Sequence, residues 1–157
     1  MIQIKTTTKD DIEDLMNVRL EMLRIVNNMS NSDTFNSTVV EQSRNYFING
    51  NQTTVIAIDE NEIVGCATIS YINILPTFDH PTGKRAYLMN VYTNKNYRRQ
   101  GIAKQMLAQL IAEAKNKGVT EISLDATESG RPLYKSLGFK ENKEAMVLEM
   151  KRWRFML

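Results

Sequence analysis

At 157 residues the chain has the usual size of one domain, so a single core is expected over 1–157. A composition of 42% hydrophobic and 24% charged residues, with only 7 Gly and 3 Pro, belongs to a folded chain and excludes a low-complexity one. One Cys and one His exclude an internal disulfide, multi-cysteine zinc or iron–sulfur sites and His-rich metal centres, and a net charge of +2 points to neither nucleic acid nor a membrane as partner.

Ile2-Gln-Ile-Lys-Thr6 alternates apolar and polar residues, the period of a strand. Asp10 and Asp11 open an amphipathic helix over about 9–27, carried by Ile12, Leu15, Met16, Met22, Leu23 and Val26. On it Arg19, Glu21 and Arg24 have the spacing of a solvated charged face, and Glu21 is a candidate to orient an amine. A second helix is expected over 37–48. Strands over 53–58 and 63–74 flank the turn Asp59-Glu-Asn-Glu62, which makes a hairpin. The lone Cys66 falls mid-strand and His80 in the Pro-bearing loop 75–83. The segment Ala86-Tyr-Leu-Met-Asn-Val-Tyr92 is a central strand, followed by a long helix over 99–117 that stops at Gly118. Glu121 to Asp125 is a strand, Ser129 to Leu137 a short helix, and Phe139 with 145–150 closes the sheet. The tail Lys151-Arg-Trp-Arg-Phe-Met-Leu157 reads either as a last strand or as an edge pairing with a second copy, a homodimer. No apolar run approaches the roughly 20 residues of a membrane span, and the first residues are not a signal peptide, so the expected location is the cytoplasm.

Chemistry concentrates in two places. Arg98, Arg99, Gln100, Gly101, Ile102, Ala103 and Lys104 form the first turn of the long helix. Free N–H groups, the helix dipole and three cations make this an anion site suited to a diphosphate. The same residues also describe a solvated basic turn whose glycine serves packing. In Arg131-Pro-Leu-Tyr-Lys-Ser-Leu-Gly-Phe139, Tyr134 lies between two leucines on a short helix, as a core tyrosine would or as a catalytic acid would.

Together the two segments resemble the GNAT superfamily of N-acetyltransferases. Its [QR]-x-x-G-x-[GA] hallmark is matched by Arg98-Arg-Gln-Gly101-Ile-Ala103, and its Leu-Tyr-x-x-x-Gly-Phe element by Leu133 to Phe139. The resemblance runs along essentially the whole chain. It implies an α/β fold whose mixed, mostly antiparallel sheet of about six to seven strands is flanked by about four helices. It also implies acetyl-CoA as co-substrate with no metal: pyrophosphate on residues 98–104, pantetheine along Val91, Tyr92 and Thr93, a backbone N–H there for the oxyanion, and Tyr134 as general acid toward the leaving thiolate. The acceptor it implies is a primary amine of a small molecule or peptide. Two positions depart from the pattern: Thr127 stands where an Asn is common, and no glutamate base matches, leaving Glu121, Asp125 and Glu128 to compete. Asp125, nearest the strand's end, is the candidate among them. The alternative is a non-catalytic module that senses acyl-CoA.

Overall fold

The structure, a computed structural model, describes residues 1–150. Five strands form one sheet in sequence order: β1 (Gln3–Thr6), β2 (Gln52–Asp59), β3 (Glu62–Asn73), β4 (Lys84–Thr93) and β5 (Glu121–Ser123). Each is antiparallel to its predecessor except β5, which runs parallel to β4. A parallel neighbour requires a crossover, and the helix between them supplies it. The helices are α1 (Ile12–Val26), α2 (Ser37–Asn49), α3 (Ile102–Asn116) and α4 (Arg131–Ser136). The chain forms two compact units, Met1–Asp125 and the segment from Ala126 onward.

In the first unit the sheet is covered on both faces. Ile56, Cys66 and Tyr92 stand opposite one another across β2, β3 and β4 and pack with Leu15 and Val18 of α1. One residue along, on the other face, Gly65 lets the Met106 side chain of α3 approach; a Cβ at Gly65 would lie 3.2 Å from Met106 Cε. Because both faces are buried, β3 is an unbroken buried run over 64–70. The stripe Met106, Leu107, Leu110 and Ala114 is at most 1% exposed, which is what anchors α3.

The expectation of six to seven strands is corrected to five among the described residues. Residues 145–149 form no strand. Met146 and Val147 there are 96% and 87% exposed, so the apolar run that suggested a strand finds nothing to pack on. The tail 151–157, read as a last strand or a dimer edge, lies outside the described residues. The long helix starts at Ile102 rather than 99, because Arg99 and Gly101 both take left-handed backbone angles.

α1 is entered through a short 3-10 turn over Lys9–Asp11. There Asp11 accepts the Thr8 backbone N–H at 2.8 Å and pairs with Lys5 Nζ at 3.1 Å. The Thr8 bond, then Lys5, hold its carboxyl below the usual range despite partial burial. A carboxyl depressed in the folded state stabilises above its unfolded value, near 4, and that contribution fades as pH falls through the folded value. Asp11→Asn should therefore lower Tm at pH 7 by roughly 2–4 °C, the equivalent of a cap worth about 1 kcal/mol. In a thermal melt series the gap to wild type should narrow below about pH 4; a gap independent of pH would remove the charge from the account.

Candidate functional site

The site begins with an irregularity in β4. Cys66 faces Tyr92, but the next paired residues are Thr68 and Met89, so Asn90 and Val91 together oppose Ala67. This is a β-bulge, and Asn90 accommodates it with φ +57°. Asn tolerates that conformation better than other residues with a Cβ. Its buried side chain is tied at both ends. Arg19 Nη1 donates to Asn90 Oδ1 at 3.1 Å, and Asn90 Nδ2 donates to Thr68 Oγ1 at 3.2 Å. The line continues through Thr68 and Thr54, whose hydroxyls are 2.7 Å apart, to Gln52 Oε1. The Cys66 thiol donates to the Asn90 carbonyl at 3.3 Å. Burial pushes that thiol up to about 12, so Cys66 is a poor nucleophile and a poor acyl carrier.

On its outer side β4 is paired only at Arg85, Ala86 and Tyr87. Beyond Tyr87 no described strand covers that edge, so Val91 to Thr93 end the strand with no strand partner on one side. Among the described residues the buried Thr93 hydroxyl has no hydrogen-bond partner.

The turn into α3 follows directly. Asn94 N donates to Val64 O at 2.8 Å, and the Asn94 side chain accepts from Asn96 N at 3.0 Å. Tyr97 is held by its hydroxyl on Asp59 Oδ2 at 2.7 Å, and Arg98 Nε reaches back to Thr93 O at 3.1 Å. Arg99 (φ +62°) and Gly101 (φ +77°) both take left-handed angles and Arg98 is extended, and alternation of this kind is what builds anion-binding nests. The N-cap of α3, Gly101, has no side chain with which to cap it, and no acid occupies the helix's first turn. A Cβ at Gly101 would meet nothing within 4 Å, so the space over the helix start is open. Arg98, Arg99, Gln100 and Lys104 are exposed around it, Ala103 is half-buried, and Ile102 anchors the turn in the core. The residues expected to form the anion site thus sit together at the start of α3.

Glu21 is exposed, and its charge acts on the Tyr92 phenol. Burial first, and Glu21 second, raise Tyr92 above its ordinary value, while Arg98 opposes them. The expected solvated face of α1 is corrected, however. Arg19 is half-buried on Asn90, and Arg24 lies 4.6 Å over the Phe35 ring while donating to Asp33 O at 3.0 Å. Asp125, two residues beyond the end of β5, accepts the Tyr87 hydroxyl at 2.6 Å. Burial and that carboxylate push Tyr87 up to about 12. His80 holds its loop to the sheet by Nδ1···Thr120 Oγ1 at 2.8 Å and lies 3.7 Å from Glu121.

In the second unit, Tyr134 is half-buried on α4, its ring edge-on to Phe139 with centroids 6.0 Å apart. Among the described residues its hydroxyl has no hydrogen-bond partner, and burial raises its pKa. Thr127 Oγ1 accepts from Gly130 N at 3.2 Å, shaping the turn into α4.

Arg19 and Asn90 were not singled out for chemistry from sequence. The available signal was an asparagine inside the apolar strand Leu88 to Tyr92, a residue type that marks a bulge.

Residues 14–139 match the sequence model of the acetyltransferase (GNAT) family. The crystal structure of a predicted acetyltransferase of Clostridium acetobutylicum with acetyl-CoA superposes with a TM-score of 0.83 at 30% identity, covering 97% of this chain and 98% of that one. A GCN5-related N-acetyltransferase from Ralstonia eutropha shares the fold at TM-score 0.78 and 21% identity, over 96% and 99% of the two chains. Human N-acetyltransferase 8 is 34% identical over 91 residues, 55% of this chain and 37% of its own length. Glucosamine 6-phosphate N-acetyltransferase of Trypanosoma brucei brucei is 28% identical over 88 residues, 56% and 58% respectively. The matched stretch thus spans between a third and three-fifths of those two relatives. With its bulged β4, uncapped α3 and a family match across both units, the chain belongs to the GNAT family of acetyltransferases.

Proposed function

We propose that this chain is an N-acetyltransferase that moves an acetyl group from acetyl-CoA directly to a primary amine of a small molecule or peptide, and that residues 1–157 act as one acetyltransferase domain. The observation that carries this is the open, uncapped start of α3 immediately after a strand whose outer edge is unpaired. Acetyl-CoA supplies an activated acyl group; the protein's work is to hold and polarise it. In this reading the N–H groups of 99–104, with Arg98, Arg99 and Lys104, bind the pyrophosphate, while Val91, Tyr92 and Thr93 offer main-chain groups to the pantetheine arm. A backbone N–H at the bulge polarises the thioester oxygen, a donor worth about 3–4 kcal/mol where measured in other enzymes.

Glu21 orients the acceptor amine, and Asp125, reached through water, is the candidate to take its proton before attack. The amine nitrogen bonds to the acyl carbon, the carbon–sulfur bond breaks, and Tyr134 gives its phenolic proton to the departing sulfur. The proton shed by the new amide nitrogen restores the phenol, so the products are an N-acetyl amine and free CoA thiol. With Cys66 buried and raised to about 12, the reading is direct transfer without an acyl-enzyme.

Calorimetric titration with acetyl-CoA tests the proposal. Wild type should bind, and Arg99→Glu should bind about tenfold or more weakly, the cost of reversing one charge at a diphosphate. Absence of binding in wild type would reduce the turn to a basic helix start and end the acetyltransferase reading. The trypanosomal relative's name is that of an enzyme acting on a phosphorylated amino sugar, which supports a small-molecule acceptor.

A further inference from the structure

Like the exposed Arg98 and Arg99, Arg19 has no counter-charge among the described residues, but unlike them it is half-buried. Arg44 pairs with Glu13 and Arg85 with Glu121, and Arg24 covers the Phe35 ring. Among the described residues no carboxylate lies within ion-pair distance of Arg19, although it is half-buried and loses hydration for being so. Its one hydrogen bond to a side chain runs from Nη1 to Asn90 Oδ1. A guanidinium has five N–H donors in a planar fork that fits a carboxylate or phosphate. Holding Asn90 needs only one neutral donor, and keeping a partly desolvated cation for that task alone is costly. Its position is informative as well, because Asn90 is the bulge that immediately precedes Val91–Thr93. Two residues on, Tyr92 senses the negative charge of Glu21.

We propose that Arg19 is a specificity-determining residue that takes an anionic group, a carboxylate or phosphate, on the acceptor, so that the substrates of this site are amines carrying a negative charge. This rests on the acetyltransferase reading and extends it: Glu21 faces the ammonium end and Arg19 the anionic end of a dipolar acceptor.

The test follows the Arg19 Nε–Hε proton resonance in protein saturated with CoA, which occupies the α3 start. The resonance is identified by its loss in Arg19→Lys. Inorganic phosphate and acetate are titrated separately. A saturable shift with either ion is expected, and the tighter ion distinguishes a phosphorylated from a carboxylated acceptor. No saturable shift with either overturns the proposal and leaves Arg19 a tie for the bulge. CoA binding is scored independently by calorimetry, and the resonance is followed even if CoA fails to bind, so the two readings fail separately. In kinetics, an amino acid against its amide, and an amino sugar against its 6-phosphate, should show about a tenfold preference in kcat/KM for the charged member. Arg19→Met should lose that preference; equal use of both members by wild type counts against the proposal.

Discussion

Tyr134→Phe is expected to lower kcat by about 10²–10⁴-fold, the usual worth of a positioned general acid, with acetyl-CoA affinity unchanged. The substitution removes one oxygen and keeps the ring that meets Phe139 edge-on, so the packing of α4 should survive. Burial raises the phenol's pKa, which keeps it protonated at neutral pH and available as a donor. A thiol leaves as thiolate with a pKa of about 8.5, below that of the phenol, so transfer is uphill until the nitrogen's proton returns to the ring oxygen. That coupling makes the loss appear in kcat, because it concerns a bond broken after the co-substrate is bound. The wild-type rate should hold until pH passes above about 10, the ordinary phenol value, since the Tyr134 pKa is raised beyond it. Steady-state thiol release at saturating amine checks both; undiminished turnover in the variant would take Tyr134 out of the mechanism.

The second large effect is expected at Gly101, where two demands coincide. Its φ of +77° is a conformation in which a side chain is strained, and the space above it is the opening to the α3 amides. Gly101→Val places a β-branched residue there. Holding the left-handed conformation costs about 1–2 kcal/mol, and relaxing it turns the N–H groups away from their common focus. Each charge-assisted hydrogen bond lost from the bound diphosphate is worth roughly 1.5–3 kcal/mol, so affinity for acetyl-CoA should fall about 10–100-fold. Melting temperature and calorimetry on one sample separate the effects. A variant that loses stability but binds as wild type would show that glycine serves only the turn.

The elements were largely legible because their periods are strong. The apolar stripe of α3 and the alternation of β1 require no tertiary information to be read. The turn proposed to hold the diphosphate was equally legible as a cluster, since its residues are consecutive. What sequence did not reveal was tertiary. Arg19 reads as one charge among three on a helix, and only its contact with Asn90, 71 residues away, separates it from Arg24. The start of α3 was displaced because two left-handed residues, one of them Arg99, leave no mark in a hydrophobic pattern. The surplus strand came from reading Ala145-Met-Val-Leu as buried, when burial depends on a partner that the pattern cannot supply.

The polar line through Gln52, Thr54, Thr68 and Asn90 has a consequence for how the sheet assembles. β2 and β3 are apolar on both faces, so hydrophobic patterning alone distinguishes poorly between correct pairing and a pairing slipped by one residue. A one-residue slip of β2 against β3 would break the hydroxyl pair between Thr54 and Thr68 in a dry interior, at a cost of about 1–3 kcal/mol. Thr68, which also holds the bulge through Asn90, thus ties the alignment of β2 on β3 to that of β3 on β4, so that a misregistered pairing loses a buried hydrogen bond.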